Sequence, residues 1–157
     1  MSAGGSHKRI MKELSEITQS PPQGMKVSLV DESDVHVWEI LMDGPEQSVY
    51  AGGHFKLLLT LPKDYPFKPP TLAFTTKIYH PNVTNDGKGA MCLGLLRSDE
   101  WKPPNKIAAV LDMTRSILVE PNLDDAVEGA IAEEYRTRRK EFDRTAREWV
   151  GKYAGRK

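Results

Sequence analysis

The stretch Phe55-Lys-Leu-Leu-Leu-Thr-Leu61 decides the fold class. Phe55, Leu57, Leu59 and Leu61 alternate with Lys56, Leu58 and Thr60, the period of a half-buried strand whose successive side chains face opposite ways. Upstream, Met25–Val30 and Val35–Leu41 are rich in apolar and β-branched residues. Asp31–Asp34 and Asp43-Gly44-Pro45 supply turn chemistry between the runs. Connections this short join antiparallel neighbours, so the runs read as a meander. A fourth short strand, Thr71–Phe74, follows the proline-rich stretch Tyr65-Pro-Phe-Lys-Pro-Pro70.

Outward from the strands the period changes. From His7 to Gln19 the apolar residues Ile10, Leu14 and Ile17 recur at helical spacing, with Lys8, Arg9, Lys12, Glu13 and Glu16 on other faces, and Pro21-Pro22 stops the helix. Residues 1–6 read as a flexible start. On the far side, Ile107, Val110, Leu111, Thr114, Ile117 and Leu118 form one helical stripe, broken at Pro121. Val127, Ile131 and Tyr135 form a second, with Asp124-Asp125 placed as its N-cap and first turn. Phe142, Ala146, Trp149 and Tyr153 form a last amphipathic helix. Residues 75–105 have no clean period, and a stretch that long inside one domain is usually functional. The layout is α+β: a helix, an antiparallel meander, a long loop, and three helices packed on one face of the sheet. It forms a single domain over 1–157.

Composition narrows the function. The 157 residues are 39% hydrophobic and 28% charged, enough for one core and too apolar for a disordered chain. The 22 basic and 22 acidic residues cancel, which disfavours a nucleic-acid binder. No apolar run is long enough to span a bilayer, and no signal-peptide pattern opens the chain, so no membrane partner and an intracellular location are expected. Charge is nevertheless segregated: six acidic residues and no Lys or Arg lie between Glu120 and Glu134, and basic residues dominate from Arg136 onward.

There is one cysteine, Cys92, so neither an internal disulfide nor a thiolate metal cluster can form. The four histidines lack metal-ligand spacing, and no metal or organic cofactor is implied. Cys92 lies in the aperiodic loop between Gly87-Lys-Gly89-Ala-Met91 and Leu93-Gly94, with His80 and Asn82 upstream. Three readings compete. A Cys–His hydrolase would use His80 as base, but no hydrolase signature surrounds the cysteine. A buried structural thiol is the commonest fate of a lone cysteine. A carrier thiol would hold an acyl group as a thioester, with Asn82 as oxyanion donor. The residues alone leave the last two open. Asn82-Val-Thr84 is formally a glycosylation sequon, expected to stay empty.

Tyr65-Pro-Phe-Lys-Pro-Pro70, Tyr79-His-Pro-Asn82, Cys92-Leu93 and Trp101-Lys-Pro103, in that order, resemble the ubiquitin-conjugating enzyme family, and Pro121-Asn-Leu-Asp-Asp125 and Thr145-Ala-Arg-Glu-Trp149 extend the match over nearly the whole chain. The resemblance implies a helix, a four-stranded antiparallel meander, an active-site loop and three further helices. It implies that Cys92 accepts the C-terminal carboxyl of ubiquitin from the activating enzyme, which consumes the ATP. The acyl group then passes to a substrate lysine or to a ligase cysteine. By the same resemblance, Asn82 stabilises the oxyanion or braces the loop, and Asp125 helps orient the incoming lysine. Tyr79, His80, Pro81, Leu93 and Asn122 shape the site. Phe67, Lys102 and Pro103 match loops that meet ligases of the RING, HECT or RING-between-RING type. Lys8, Arg9 and Lys12 match positions used for the activating enzyme and ligases. The expected compartment is the cytoplasm or nucleus. Alternatives are another ubiquitin-like modifier, or a non-catalytic binding module on the same fold.

The match departs in two places. Nine residues separate Asn82 from Cys92, two more than the family usually has, so Asn82 is expected to sit differently relative to the sulfur unless the Val83–Met91 segment bulges outward. Gly94 stands where many lysine-directed relatives carry an aspartate, whereas Asp125 keeps the other acidic feature.

Overall fold

The alternation at Phe55–Leu61 becomes strand β3 (His54–Thr60) of a four-stranded sheet in the computed structural model, which describes residues 3–155. Strands β1 (Met25–Leu29), β2 (Val37–Asp43), β3 and β4 (Thr71–Phe74) lie in sequential order and pair antiparallel throughout. The register sets Trp38 opposite Leu59, Ile40 opposite Leu57, and Met42 opposite Phe55, and all six are buried. The meander is therefore the predicted one, with β2 displaced two residues toward the C-terminus. Turn chemistry claims Val35 and His36: Asp34 accepts the His36 N–H at 2.9 Å, and the Trp38 indole N–H bonds the Val35 carbonyl at 2.7 Å.

The helices α1 (Ala3–Gln19), α2 (Ile107–Val119), α3 (Gly129–Thr137) and α4 (Arg139–Tyr153) complete the layout. Ile10 and Ile17 of α1, the whole predicted stripe of α2, and Phe142 and Ala146 of α4 are buried, and their apolar members join the inner face of the sheet in one core. No helix among the described residues is long and apolar enough to cross a membrane.

Three local expectations change. First, α1 begins at Ala3, four residues before the predicted start, and Ser6 is buried with its hydroxyl donating to the Tyr65 carbonyl at 2.6 Å. The flexible start thus excludes residues 3–6; Met1 and Ser2 lie outside the described residues. Second, Glu13 is not on a solvent face. It is buried, and its carboxylate accepts from Arg9 Nε at 2.8 Å, from the Tyr65 hydroxyl, and from the Ile107 N–H at 2.9 Å. The last bond satisfies a first-turn donor of α2, whose own N-cap Lys106 offers no side-chain bond. Third, Asp124 and Asp125 do not begin α3. They lie in a separate 3₁₀ turn, Leu123–Asp125, whose cap is Asn122, and α3 starts at Gly129. A single turn has no appreciable dipole, so the alternative of a first-turn charge on a helix does not explain Asp125.

Candidate active site

After β4 the chain runs inward without pairing as a strand: Ile78 and the run His80–Val83 are buried, and Tyr79 is half-buried. His80 is fully enclosed. Its Nδ1 accepts the Asn82 N–H at 2.9 Å, which fixes the tautomer and makes Nε2 the donor to the Ile117 carbonyl of α2 at 2.7 Å. Burial lowers its pKa to about 4, so the ring is neutral at physiological pH. Both nitrogens are engaged, which removes His80 as a base for Cys92 and overturns the hydrolase reading. Tyr79 donates to Glu134 of α3 at 2.7 Å, and burial together with that carboxylate pushes its phenol up to about 12. The Pro81 carbonyl accepts the N–H groups of Val127 and Glu128 at 2.9 and 3.1 Å. The Tyr79-His-Pro motif thus fixes the loop to α2 at one point and to the entrance and body of α3 at the others.

Asn82 is enclosed as well, which leaves its sequon inaccessible. Its side-chain amide clasps the backbone of Asn122 at both ends: Nδ2 donates to the carbonyl at 2.8 Å and Oδ1 accepts the N–H at 3.0 Å. Its own carbonyl accepts the Cys92 N–H at 3.0 Å. This last bond answers the spacing question. The longer segment closes on itself between the two residues, with Val83 bridged to Met91 and Thr84 bonded to Ala90. Its tip is shaped by Asp86, which accepts from Thr84 and from the Lys88 N–H, and is anchored by Glu128, which accepts the Asn85 N–H at 2.8 Å. Gly89 lets the segment lie on β4: its φ is +62°, and a Cβ would fall 2.0 Å from the Phe74 carbonyl oxygen. The extra residues are taken up in this closed excursion, which leaves Asn82 and Cys92 joined through the backbone, so the expected displacement of Asn82 from the cysteine does not occur.

Cys92 is partly exposed and unpaired, which rejects the fully buried structural thiol. Leu93, buried beside it, caps a short 3₁₀ turn, Gly94–Leu96. The facing wall is the Asn122–Asp125 turn. Asn122 Oδ1 accepts from the Asp124 and Asp125 N–H groups, while its Nδ2 donates to Asp125 Oδ2 at 3.1 Å. The walls meet where a Cβ on Gly94 would stand 3.3 Å from Asp125 Oδ2; an aspartate there would set two carboxylates face to face. The result is a partly exposed thiol two residues from a glycine that abuts the Asp125 carboxylate. A cleft of about 810 Å³ exists elsewhere, near Pro22, Leu41, His54 and Tyr153, and none of these site residues lines it.

A model of the ubiquitin-conjugating enzyme family matches residues 9–150. The chain belongs to the ubiquitin-conjugating enzymes. It is 45% identical over 150 residues to ubiquitin conjugating enzyme E2 B of Dictyostelium discoideum, covering 95% of this chain and 98% of that protein. It is 44% identical over 149 residues to ubiquitin-conjugating enzyme E2 14 of Schizosaccharomyces pombe, covering 95% and 94%. Membership makes the chain a transferase that works with ubiquitin, an activating enzyme and ligases, and the binding-module alternative is not favoured.

In this conjugating enzyme two of the motif loops are tied to each other. The Trp101 indole N–H donates to the Pro66 carbonyl at 2.7 Å, which ties the Phe67 loop to the Lys102-Pro103 loop. Phe67 is 55% exposed, unusual for so large an apolar side chain. Lys8 and Lys12 are exposed on α1. Arg9 is not free with them: it also donates to the Asn105 carbonyl at 2.8 Å and lies over the Tyr65 ring. Sequence reasoning missed Glu13, Arg97 and Glu128 as parts of the framework. Each has a partner 28 to 94 positions away in the chain, beyond any local pattern.

Proposed function

We propose that Cys92 carries ubiquitin as a thioester and passes it to a lysine or to a ligase cysteine. The supporting observation is the single thiol, partly exposed, with its backbone bonded to Asn82 and the Asp125 carboxylate beside Gly94, two residues on. In charging, the Cys92 thiolate attacks the ubiquitin thioester of the activating enzyme, and that enzyme's thiolate leaves. In discharge, a neutral lysine amine attacks the acyl carbon, the C–S bond breaks, Cys92 leaves as thiolate, and the spare proton goes to water. Asp125 draws the acceptor ammonium toward the thioester, and the ammonium gives a first proton to water to become the neutral amine that attacks. Asn82 serves chiefly as a brace: its amide holds Asn122, and Asn122 holds Asp125. Tyr79, His80, Pro81 and Leu93 keep the loop in shape.

Phe67, Lys102 and Pro103 are the proposed seat for a ligase of the RING, HECT or RING-between-RING type. Lys8 and Lys12 are proposed for the activating enzyme and ligases, while Arg9 contributes through helix placement. The proposed compartment is the cytoplasm or nucleus, where a lone thiol stays reduced; fluorescence imaging of the tagged chain tests it. The decisive experiment is charging with activating enzyme, ATP and ubiquitin. An adduct that thiol reductant removes and Cys92→Ala abolishes is expected, and Cys92→Ser should give a slower, reductant-resistant ester. A reductant-labile adduct that survives Cys92→Ala would refute Cys92 as carrier. Selective charging by a different ubiquitin-like modifier would replace ubiquitin in this reading.

A further inference from the structure

Arg97 stands directly after the 3₁₀ turn that follows Cys92, and its N–H donates to the Gly94 carbonyl at 3.1 Å. Its guanidinium crosses to the opposite wall, where Nη2 lies 3.5 Å from Asp125 Oδ1. Among the described residues this is the only side-chain partner Arg97 has. A closed circuit results. The Cys92 N–H bonds the Asn82 carbonyl; the Asn82 amide clasps Asn122; the Asn122 amide bonds Asp125; Asp125 pairs with Arg97; and Arg97 returns to Gly94, two residues past the cysteine.

The links are unequal. The Asn82–Asn122 clasp is partly buried and two-pronged, whereas the Arg97–Asp125 pair is single-contact, with the arginine side chain 56% exposed and the carboxylate 17% exposed. A partly solvated, single-contact ion pair stabilises little and opens readily. It is therefore poor as a structural fastening and well suited to exchange. A lysine ammonium drawn to Asp125 must take the position that Arg97 holds. The pocket left at Gly94 offers no second carboxylate to share, so the two cations compete for one acceptor.

We propose that Arg97 is a specificity-determining residue, which competes with cationic lysine acceptors for Asp125 and thereby biases the loaded enzyme toward neutral thiol acceptors. This rests on the reading that Asp125 attracts the incoming lysine. Removing an exposed pair of this kind should raise lysine discharge about two- to five-fold. A thiol acceptor, neutral at rest and anionic when it attacks, gains nothing from Asp125.

The test uses enzyme loaded with ubiquitin, freed of ATP, and chased with either free lysine or 2-mercaptoethanol. The readout is the ratio of the two second-order rate constants. Arg97→Ala should raise the lysine-to-thiol ratio about two- to five-fold, Arg97→Lys should restore a ratio near the original, and the gain should shrink in high salt. In an Asp125→Asn background, Arg97→Ala should leave the ratio where Asp125→Asn alone puts it. An unchanged ratio, an equal acceleration of both acceptors, or a gain that persists without the carboxylate would overturn the competition. If Asp125→Asn by itself discharges to lysine at the original rate, the role of Asp125 falls and the competition falls with it. If Asp125→Asn is slow and Arg97→Ala is inert, only the competition is refuted.

Discussion

Replacing Asn82 with alanine separates the two roles its motif allows. The substitution removes both prongs of the clasp, at 2.8 and 3.0 Å, and strands the N–H and carbonyl of Asn122. An unsatisfied buried group costs about 1–3 kcal/mol. Asn122 lies at the surface, where water can replace part of the loss, so the lower end applies and the total is about 2–3 kcal/mol. Urea unfolding followed by tryptophan fluorescence should report that loss as a shift in midpoint with little change in slope. The functional consequence follows from the chain of bonds: Asn122 holds Asp125, so losing the clasp releases the acidic wall. Lysine discharge of Asn82→Ala should therefore fall together with that of Asp125→Ala, and the double variant should be little worse than the worse single. A direct oxyanion donor gives the opposite pattern. Its loss would slow every acceptor, and its effect would add to that of Asp125→Ala. Asn82→Ala with full stability, severely slowed discharge to all acceptors and additive behaviour with Asp125→Ala would refute the brace.

Three further outcomes are expected. His80 should make stability fall in acid. Its folded pKa, lowered to about 4 by burial, lies below the ordinary 6.5, so the unfolded chain takes up its proton first; this contribution is complete above about pH 6.5 and about 3 kcal/mol is lost by pH 4, measurable as urea midpoints across pH against the slope from carboxylates. An NMR titration showing His80 protonated at pH 6 in the folded protein would contradict it. Gly89→Ala should destabilise by about 2–4 kcal/mol, since its Cβ would meet the Phe74 carbonyl at 2.0 Å, whereas Gly87→Ala, with positive φ but open space, should cost about 1 kcal/mol; equal thermal shifts would show that the bulge does not lie on β4. Trp101→Phe keeps the ring but loses the bond to Pro66, costing about 1 kcal/mol. Because that bond joins the Phe67 and Lys102-Pro103 loops, ligase-stimulated discharge should drop more than charging; an equal drop in both assays would argue against the shared ligase seat.

Much of the fold could be read locally because its signals repeat. The alternation at Phe55–Leu61 and the stripe from Ile107 to Leu118 each record burial on one face, and burial is what the structure shows. The errors fall where a side chain found a distant partner. Glu13 reads as a solvated charge on a helix face, yet three donors from two other segments and its own helix compensate its desolvation. Asp124-Asp125 reads as a helix start because acidic residues favour such ends, yet Asn122 caps them into a turn of their own.

By itself, the sequence determined the order of elements, most of the inward-facing residues of the strands and helices, and which residue is the one thiol, whereas Val127 and Tyr153, read as inward, are exposed. These depend on periodicity and residue chemistry, both of which are present in the linear chain. Only the tertiary structure decided that His80 is a buried neutral strut, that Asn82 closes on Asn122, and that Arg97 reaches Asp125. Hydrogen bonds and ion pairs act over about 3–4 Å, whatever the separation along the chain. Which partners come that close is set by how the sheet and helices pack.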